Sequence, residues 1–523
     1  MLLLKHNPGM LKERDLIKSF VIRQTELEMI VETITENTKE SNQHILVIGE
    51  SGTGKTTLVH RIVTEVRNKT SLSQSWYPIV FAEEPYLISS AGELWLEALF
   101  YLAEQTDEEK WKTTYQDLKK EYDETRLREK ALARLLDFAD EQKKRILLII
   151  ENLDMLFEQQ ISENADWELR HTLLNEPRLM LITTATRRFD EISNINKAWF
   201  ELFSVYELQP LKIEEYQLLW NAQTATLISE KELRPIEILT GGNPYLVRLL
   251  ASFSKKSSTN NLMEALIQLV DERTEYFKSQ LDKLASTERK VFVALLDIWD
   301  PASSRDIAEV TRLDVNKVSA LLKRLEQRFL VKIVKTQSNK HFYQTCEHLY
   351  SIYYLIRRRG HPTKRIIATI GFMVQFYTNK ELSDGFIEFS EESCQLFSCQ
   401  QKQSLEMVKI LSQNTILEIQ QKHKEALEIL SKFLDSMDSE RLPILLIVDF
   451  TSLLAISGYA KETLEVIIKS KVGKDLEILT VGLRMFLGED LLKAREITAV
   501  AQDIVKYIKK KQELMYLSNP SES

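Results

Sequence analysis

A glycine-rich octapeptide near the start of the chain constrains its fold more than any other feature. Residues 49–56 read GESGTGKT, preceded by the apolar run HILVI and followed by the amphipathic stretch TLVHRIV. The octapeptide fits G-x-x-x-x-G-K-[ST]. Its glycines let backbone N–H groups turn inward around a phosphate, and the following helix adds its positive dipole end. The sequence therefore predicts a strand, a phosphate-binding loop and a helix in succession.

The same motif predicts a nucleoside triphosphate and Mg²⁺ as cofactors. We expect Lys55 to reach the β- and γ-phosphates and to act in catalysis, and the Thr56 hydroxyl to ligate Mg²⁺. The predicted nucleotide-binding residues of the loop are Gly49, Glu50, Ser51, Gly52, Thr53, Gly54, Lys55, Thr56 and Thr57.

A second segment supplies an acid for the metal. RILLIIENLDMLF, at 145–157, carries an apolar run that ends in Glu151, the predicted second ligand of Mg²⁺. Most P-loop enzymes have Asp at this position, often followed by a Glu that activates water. Here Asn152 follows, and its amide cannot accept a proton. Asp154 is then the remaining catalytic candidate for orienting water, and we expect slow hydrolysis. The alternative is that Glu151 caps a helix and that the site is degenerate.

Short apolar runs alternate with helical periodicity between about residues 15 and 250. Near-continuous apolar runs separated by amphipathic stretches are typical of a buried parallel sheet covered by helices. The predicted strands are 44–49, 77–84, 145–152, 178–186 and 203–208.

Three segments give this region a resemblance to ATPases of the Orc/Cdc6-like AAA+ group and of the STAND signalling class. FVIRQTEL, at 20–27, resembles their F-V-G-R-E-x-E-L segment. The spacing of Glu151 and Asp154 is similar to the D-x-x-D pattern of STAND proteins, with Glu at the first acid. TGGNPYLVRLL, at 240–250, resembles the G-x-P segment of their lid helix. The resemblance covers about residues 15–350, and it implies ATP as the nucleotide.

The resemblance also implies roles for single residues. Arg23 would lie by the adenine, and Pro244 would lie against the nucleotide. LMLITTATRRF, at 179–189, resembles the strand that carries the sensor-1 residue. That match places Thr183 or Thr184 near the γ-phosphate, and Thr184 is the catalytic candidate.

The roles of three arginines stay open at this point. Arg248 could be the phosphate sensor of the lid, although its spacing departs from the commonest pattern. Arg187 and Arg188 could reach the γ-phosphate of a neighbouring subunit as an arginine finger. A solvated pair beside Asp190 is the slightly favoured alternative.

Residues 284–345 have the element order of a winged helix-turn-helix. The predicted elements are helices 287–299, 304–310 and 315–328, with Asp314 capping the third, and a β-wing at 329–344. Apolar residues recur at spacings of three and four along the third helix and predict its core face; they are Val315, Val318, Leu321, Leu322 and Leu325.

The predicted third helix carries a basic face. Residues 285–345 hold eleven Lys and Arg against seven Asp and Glu, a net charge of +4 in a chain of −8. A helix of this kind can lie in the major groove of double-stranded DNA. An intramolecular clamp on the nucleotide domain is an equally weighted alternative. The candidate DNA contacts are Lys317, Lys323, Arg324 and Arg328.

The rest of the chain reads as helical, and KEALEIL (424–430), KETLEVI (461–467) and KAREITAV (493–500) resemble one another. Their spacing is close to the tetratricopeptide period of about 34 but irregular. We expect a TPR-like helical tail that binds a protein partner or trigger, with an irregular bundle as the alternative.

Composition favours a cytoplasmic location. Cys346, Cys394 and Cys399 form neither a disulfide framework nor a zinc site. The longest apolar stretch, 442–456, contains Asp449 and is too short to span a bilayer. We therefore expect a soluble intracellular protein with no membrane partner.

These features predict an α/β P-loop NTPase core, an all-α lid, a winged helix and an α-helical repeat-like tail. The predicted domains are 1–210, 211–284, 285–365 and 366–523. The favoured function is a slowly hydrolysing ATP switch that couples nucleotide state to self-oligomerisation and to partner or DNA engagement. Analogy of architecture suggests a setting in regulation or anti-phage defence. An Orc/Cdc6-like or transposition-regulator-like ATPase that loads on duplex DNA is the second hypothesis, and a scaffold with structural nucleotide is the third.

Overall fold

The chain divides into two units. The first consists of Met1–Ala222 with Asn243–Tyr245, and the second of Gln223–Gly242 with Leu246–Ser523. The computed structural model describes residues 9, 11–37, 43–81, 88–186, 188–224, 227–253, 278, 281–282, 284–328, 330–337, 340–346, 348–357, 361–378, 407, 416–437 and 442–518.

A five-stranded parallel sheet forms the centre of the first unit. Its strands are β1 His44–Ile48, β2 Trp76–Val80, β3 Arg145–Ile150, β4 Leu179–Ala185 and β5 Phe203–Glu207. The order β2-β3-β4-β1-β5 places β1 between β4 and β5, and every pairing is parallel. The carboxyl ends of β1, β3 and β4 therefore meet at one edge of the sheet.

Helices surround this sheet. They are α1 Glu13–Ser19, α2 Gln24–Glu36, α3 Lys55–Asn68, α4 Thr70–Ser75, α5 Ala91–Thr106, α6 Glu109–Leu118, α7 Glu124–Gln142, α8 Leu153–Gln159, α9 Glu163–Asn175 and α10 Asp190–Ser193. Because side chains alternate along a strand, β1 contributes to a core on each face. Ile45 and Val47 pack with residues of α2 and α3, whereas Leu46 and Ile48 pack with residues of α5 and α7.

The five predicted strands are confirmed, with corrections at their ends. The prediction 145–152 was too long, because β3 stops at Ile150 and Asn152 has a left-handed backbone (φ 56°) that a strand does not accommodate. The prediction 77–84 was also too long, since β2 ends at Val80, and residues 82–84 lie outside the described residues.

Helices α11 Ile213–Thr224 and α13 Pro244–Phe253 each contain a boundary between the two units. Helix α12 Glu230–Thr240 lies entirely in the second unit. A capping box at Ser229 and Glu232 fixes the start of α12, and Gly241 (φ 60°) ends it.

Residues 286–345 fold in the element order predicted for the winged helix. The elements are α14 Ser286–Ile298, β6 Ala302–Ser303, α15 Ser304–Thr311, α16 Val315–Gln327, β7 Val331–Gln337 and β8 Lys340–Thr345. The strands form an antiparallel sheet in the order β6-β8-β7. Asp314 caps α16 as predicted, because its carboxylate accepts hydrogen bonds from the Asn316 and Lys317 N–H groups.

The predicted core face of α16 is wrong at one position. Val318, Leu321, Leu322 and Leu325 are buried, but Val315 is 41 % exposed. Val315 is the first residue of the helix, and it lies one turn before the stripe that meets the core. Whether this segment belongs to the winged-helix class stays a prediction.

The remaining described chain is helical. Its elements are α17 His348–Arg357, α18 His361–Thr378, α19 Ile416–Ser436, α20 Ile444–Leu454, a π-helical turn Ala455–Tyr459, α21 Ala460–Lys469, α22 Glu477–Phe486 and α23 Arg495–Ser518. The three similar segments, 424–430, 461–467 and 493–500, lie in α19, in α21 and at the start of α23. The TPR-like assignment and the four domain boundaries stay predictions.

One apolar segment of the tail, Ile444–Lys469, is long and apolar enough to cross a membrane, and 83 % of its most apolar window is buried inside the protein. Within it, the buried Asp449 carboxylate accepts hydrogen bonds from the Tyr507 hydroxyl and, at 3.0 Å, from Lys511 Nζ. Burial inside the protein thus accounts for the apolar side chains of this segment, and α23 supplies the partners of Asp449. The cytoplasmic location stays a prediction.

Candidate functional site

The loop between β1 and α3 has a backbone that only its glycines accommodate easily. Gly52 and Gly54 have φ values of 81° and 96°, in the left-handed region. A Cβ placed on Gly49 would lie 2.6 Å from Thr53 Oγ1, so a side chain there would collide with the loop. Thr53 Oγ1 in turn donates to Glu50 O at 2.8 Å. These contacts within the loop stabilise its tight turn.

Lys55 joins the two ends of this loop. It is the first residue of α3, and its buried Nζ donates to Gly49 O at 2.7 Å and to Glu50 O at 3.1 Å. Burial lowers the pKa of Lys55, and the carboxylates of Asp154, Glu151 and Glu50 oppose that change. The ammonium group is therefore surrounded by oxygen atoms at the mouth of the loop.

Thr56 and Glu151 meet as the sequence predicted. The Thr56 hydroxyl donates to Glu151 Oε2, although the two residues are separated by 95 positions in the chain. Thr56 is in the first turn of α3, which follows β1 in the chain, and Glu151 directly follows β3. Strands β1 and β3 both pair with β4. A hydroxyl and a carboxylate are hard oxygen ligands of the kind that Mg²⁺ prefers.

The turn after β3 is held in place by two threonines of the β4 segment. The Asn152 N–H donates to Thr184 Oγ1 at 3.1 Å. Asp154 accepts from the Thr186 N–H at 3.2 Å and also from the Thr186 hydroxyl. Asp154 therefore binds the segment that follows β4, and its role in orienting water stays a prediction. The sequence reasoning missed Thr186, although a threonine one residue past a buried strand end was a signal for such a contact.

Thr183 and Thr184 are both fully buried but lie on opposite faces of β4. The Thr183 hydroxyl has no hydrogen-bond partner among the residues that the structure describes. Thr184 supports the acid turn through Asn152. A direct role of Thr184 at a γ-phosphate stays a prediction.

Arg23 ties the segment before α2 to the chain that leaves β5. Its backbone is left-handed (φ 65°), and its buried guanidinium binds Glu26 at 3.2 Å and donates to Gln209 O at 2.5 Å. The position of Arg23 by the adenine stays a prediction.

A polar contact that the sequence reasoning missed holds the crest of the phosphate loop. Asn243 Nδ2 donates to Ser51 O at 2.8 Å, and the Tyr245 N–H donates to Gly52 O at 3.1 Å. Pro244, the predicted nucleotide contact, lies between them as the first residue of α13. The signal that could have found Asn243 is its place between a Gly-Gly pair and a proline, where an amide side chain often bonds a turn.

Two of the three arginine candidates lie among the described residues. Arg248 belongs to the second unit, and burial lowers its pKa. Arg187 lies outside the described residues. Arg188 is 60 % exposed, and its guanidinium is 3.9 Å from Glu207 Oε2, as expected of a solvated residue.

The basic candidates of α16 differ in their environment. Lys317, Lys323 and Arg324 are exposed on the helix. Arg328 is also exposed, but its guanidinium binds the buried carboxylate of Glu288 at 3.1 Å. Arg328 therefore has a structural partner that the sequence did not predict.

Comparison with known families identifies the class of the first unit. Residues 19–182 match the AAA ATPase domain family. This part of the chain is an AAA ATPase domain. Nucleotide binding follows from that membership, and the phosphate loop and the Thr56–Glu151 pair fit the triphosphate and the Mg²⁺ that such domains typically hold. The residue assignments within the AAA ATPase domain stay predictions.

Three solved structures are similar to the chain at 13 % identity each. The Walker-type ATPase PABY2304 of Pyrococcus abyssi aligns over 64 % of this chain and 95 % of its own, with a TM-score of 0.45. Aeropyrum pernix Orc1 in complex with DNA aligns over 65 % and 96 %, with a TM-score of 0.41. Cdc6p from Pyrobaculum aerophilum aligns over 71 % and 99 %, with a TM-score of 0.35. No curated protein matches the chain.

Proposed function

We propose that this protein is an ATP-binding, slowly hydrolysing molecular switch that couples nucleotide state to self-oligomerisation and to engagement of a protein partner or DNA. One observation carries the proposal. Both carboxylates that follow β3 are already engaged, Glu151 with Thr56 and Asp154 with Thr186. The position of the usual water-activating Glu is held by Asn152, whose amide cannot accept a proton.

In this proposal, the loop and Lys55 bind the phosphates, and Thr56 and Glu151 hold Mg²⁺. Mg²⁺, when bound, would neutralise part of the negative charge of the phosphates. The Asp154–Thr186 contact keeps the acid turn and the end of β4 in one arrangement, so that a γ-phosphate has a fixed surface to contact. A site that binds tightly and turns over slowly suits a two-state switch, because the bound state persists long enough to bias assembly.

The proposal is tested by measuring ATP turnover and solution mass together for the wild type and Lys55→Ala. The substitution removes the ammonium group that would bind the phosphates, and we expect at least tenfold weaker nucleotide binding and no nucleotide-dependent increase in mass. Lys120→Ala is the matched control, since Lys120 is 75 % exposed in the same unit. Assembly that persists unchanged in Lys55→Ala would contradict the switch.

A second candidate function is an AAA+ ATPase that binds and loads on duplex DNA. The exposed basic face of α16 favours it, because three cations, Lys317, Lys323 and Arg324, face solvent on one capped helix. Their triple substitution by Ala is expected to weaken duplex DNA binding. It should also reduce the slope of the logarithm of the binding constant against the logarithm of the salt concentration by about three, one for each lost phosphate contact. A triple Ala variant of the exposed tail lysines Lys461, Lys469 and Lys474 is the control.

The outcomes separate the candidates. Turnover that duplex DNA accelerates, with a steep salt dependence of binding, favours the loader. Indifference to DNA together with a nucleotide-dependent rise in mass favours the switch. ADP retained through purification without turnover favours a scaffold with structural nucleotide. A setting in regulation or anti-phage defence belongs to the switch proposal and rests on analogy of architecture alone.

A further inference from the structure

The crest of the phosphate loop is held by a side chain from outside the loop. Asn243 donates from Nδ2 to Ser51 O at 2.8 Å, and its Oδ1 accepts from the Tyr245 N–H at 3.0 Å. A Cβ placed on Gly52 would lie 2.6 Å from the Asn243 amide oxygen, so the amide packs directly on the loop backbone. Asn243 thus determines which way the carbonyl of Ser51 points, and with it the direction of the next N–H group.

The backbone that presents Asn243 is a pair of left-handed glycines. Gly241 (φ 60°) ends α12, with its N–H donating to Glu237 O at 2.8 Å, and Gly242 (φ 84°) follows. Two adjacent residues without a Cβ can change backbone angles at little steric cost. A contact that holds Gly241 therefore restricts where Asn243 can reach.

Within the second unit, the last long helix of the tail holds the end of α12. A Cβ placed on Gly241 would lie 2.8 Å from a terminal nitrogen of Arg495, so this guanidinium packs against the glycine. In the first half of α12, Arg234 binds Asp503 at 2.8 Å, and Asp503 also accepts from the Tyr377 hydroxyl at 2.6 Å. The first residue of α23 therefore contacts Gly241, and Asp503 of the same helix binds α12.

We propose that Asn243 is a positioning residue of the phosphate loop. We propose also that Arg495 of the tail controls where the Asn243 side chain lies, because Arg495 contacts Gly241 and Gly241 is joined to Asn243 through Gly242. This inference deepens the proposed switch and rests on it. The tail, where a partner would bind, then modulates nucleotide affinity by fixing or releasing one amide side chain.

The test is a double-mutant cycle on binding of ATP with Mg²⁺ to the full chain. We expect Asn243→Ala to weaken ATP binding about five- to tenfold, the effect of one lost hydrogen bond to the loop. Arg495→Ala is expected to weaken it about threefold in the wild-type background and not at all in the Asn243→Ala background, because the coupled side chain is gone. Asn243→Asp, which keeps the acceptor for Tyr245 but turns a carboxylate oxygen toward Ser51 O, should weaken binding at least as much as Asn243→Ala.

Two control variants and one physical readout separate positioning from misfolding. Asn175→Ala removes an exposed amide-to-carbonyl hydrogen bond in the same unit, and Lys509→Ala removes an exposed cation from α23; both should bind ATP as the wild type does. The thermal midpoints of all variants should agree within about 2 °C. Wild-type affinity in Asn243→Ala, or equal effects of Arg495→Ala in both backgrounds, would overturn the inference. Wild-type protein that binds no ATP would overturn the proposed function itself.

Discussion

His44 makes the stability of the parallel sheet depend on pH. The imidazole is fully buried; its Nε2 donates to Leu173 O at 3.1 Å, and its Nδ1 accepts from the Leu181 N–H at 3.0 Å. Burial lowers the pKa of His44 to about 4, the charge of Arg145 acts in the same direction, and the hydrogen bond to Leu173 opposes them. A second proton would have to enter at Nδ1, where it would face the Leu181 N–H.

The sign and size of the effect follow from this lowered pKa. In the unfolded chain His44 titrates near 6.5, so between about pH 6.5 and 4 the unfolded state binds a proton that the folded state excludes. The contribution of His44 is fully present above pH 6.5 and is lost as the pH falls toward 4. The gap between the two pKa values corresponds to about 3 kcal/mol in total, of which about 2 kcal/mol is lost by pH 5.

The assay is urea unfolding between pH 7.5 and pH 5, followed by hydrogen exchange in peptides that cover β1 and β4, so that the sheet is observed apart from the second unit. His44→Gln removes the titrating ring. It should be less stable than the wild type at pH 7.5, and its disadvantage should shrink by about 2 kcal/mol at pH 5. His171→Gln, on the exposed side of α9, should parallel the wild type. Parallel curves for the wild type and His44→Gln would refute the reasoning.

Three further perturbations test other parts of the molecule. Asn152→Glu should raise ATP turnover at least tenfold, measured as phosphate release at saturating ATP with Mg²⁺, because it supplies a carboxylate where water would be activated; an unchanged rate would count against the slow-switch explanation. Arg328→Met should lower the free energy of unfolding of its segment by about 1–3 kcal/mol in urea, since it leaves the buried Glu288 carboxylate without its cation. Arg312→Met, at an exposed position of the same segment, is the control. A loss in Arg328→Met no larger than that in Arg312→Met would contradict a stabilising role of the Arg328–Glu288 pair. Asp449→Ala should lower stability by about 3 kcal/mol in thermal unfolding, because the Tyr507 hydroxyl loses its buried acceptor, whereas Asp449→Asn should cost less; the reverse order would contradict the assignment.

Much of the nucleotide site was predictable because its parts are encoded locally. The apolar run, the glycines and Lys55 are consecutive in the chain, so one pattern specifies the strand, the turn and the helix start. Glu151 was predictable because it ends an apolar strand, and parallel strands bring such ends to one edge of the sheet. The exposed Val315 was mispredicted because a periodic stripe does not specify where along the helix the core begins.

The sequence by itself determined the phosphate loop and the alternation of strands and helices, because these depend on residues close together in the chain. It also indicated Glu151, because an apolar run ends at that residue. The tertiary structure alone decided which distant polar groups these elements bind. Asn243 contacts Ser51 across 192 positions, and Asp154 contacts Thr186 across 32. Such contacts depend on strand order and helix packing, which summed hydrophobic burial over the whole unit determines, so no local pattern specifies them.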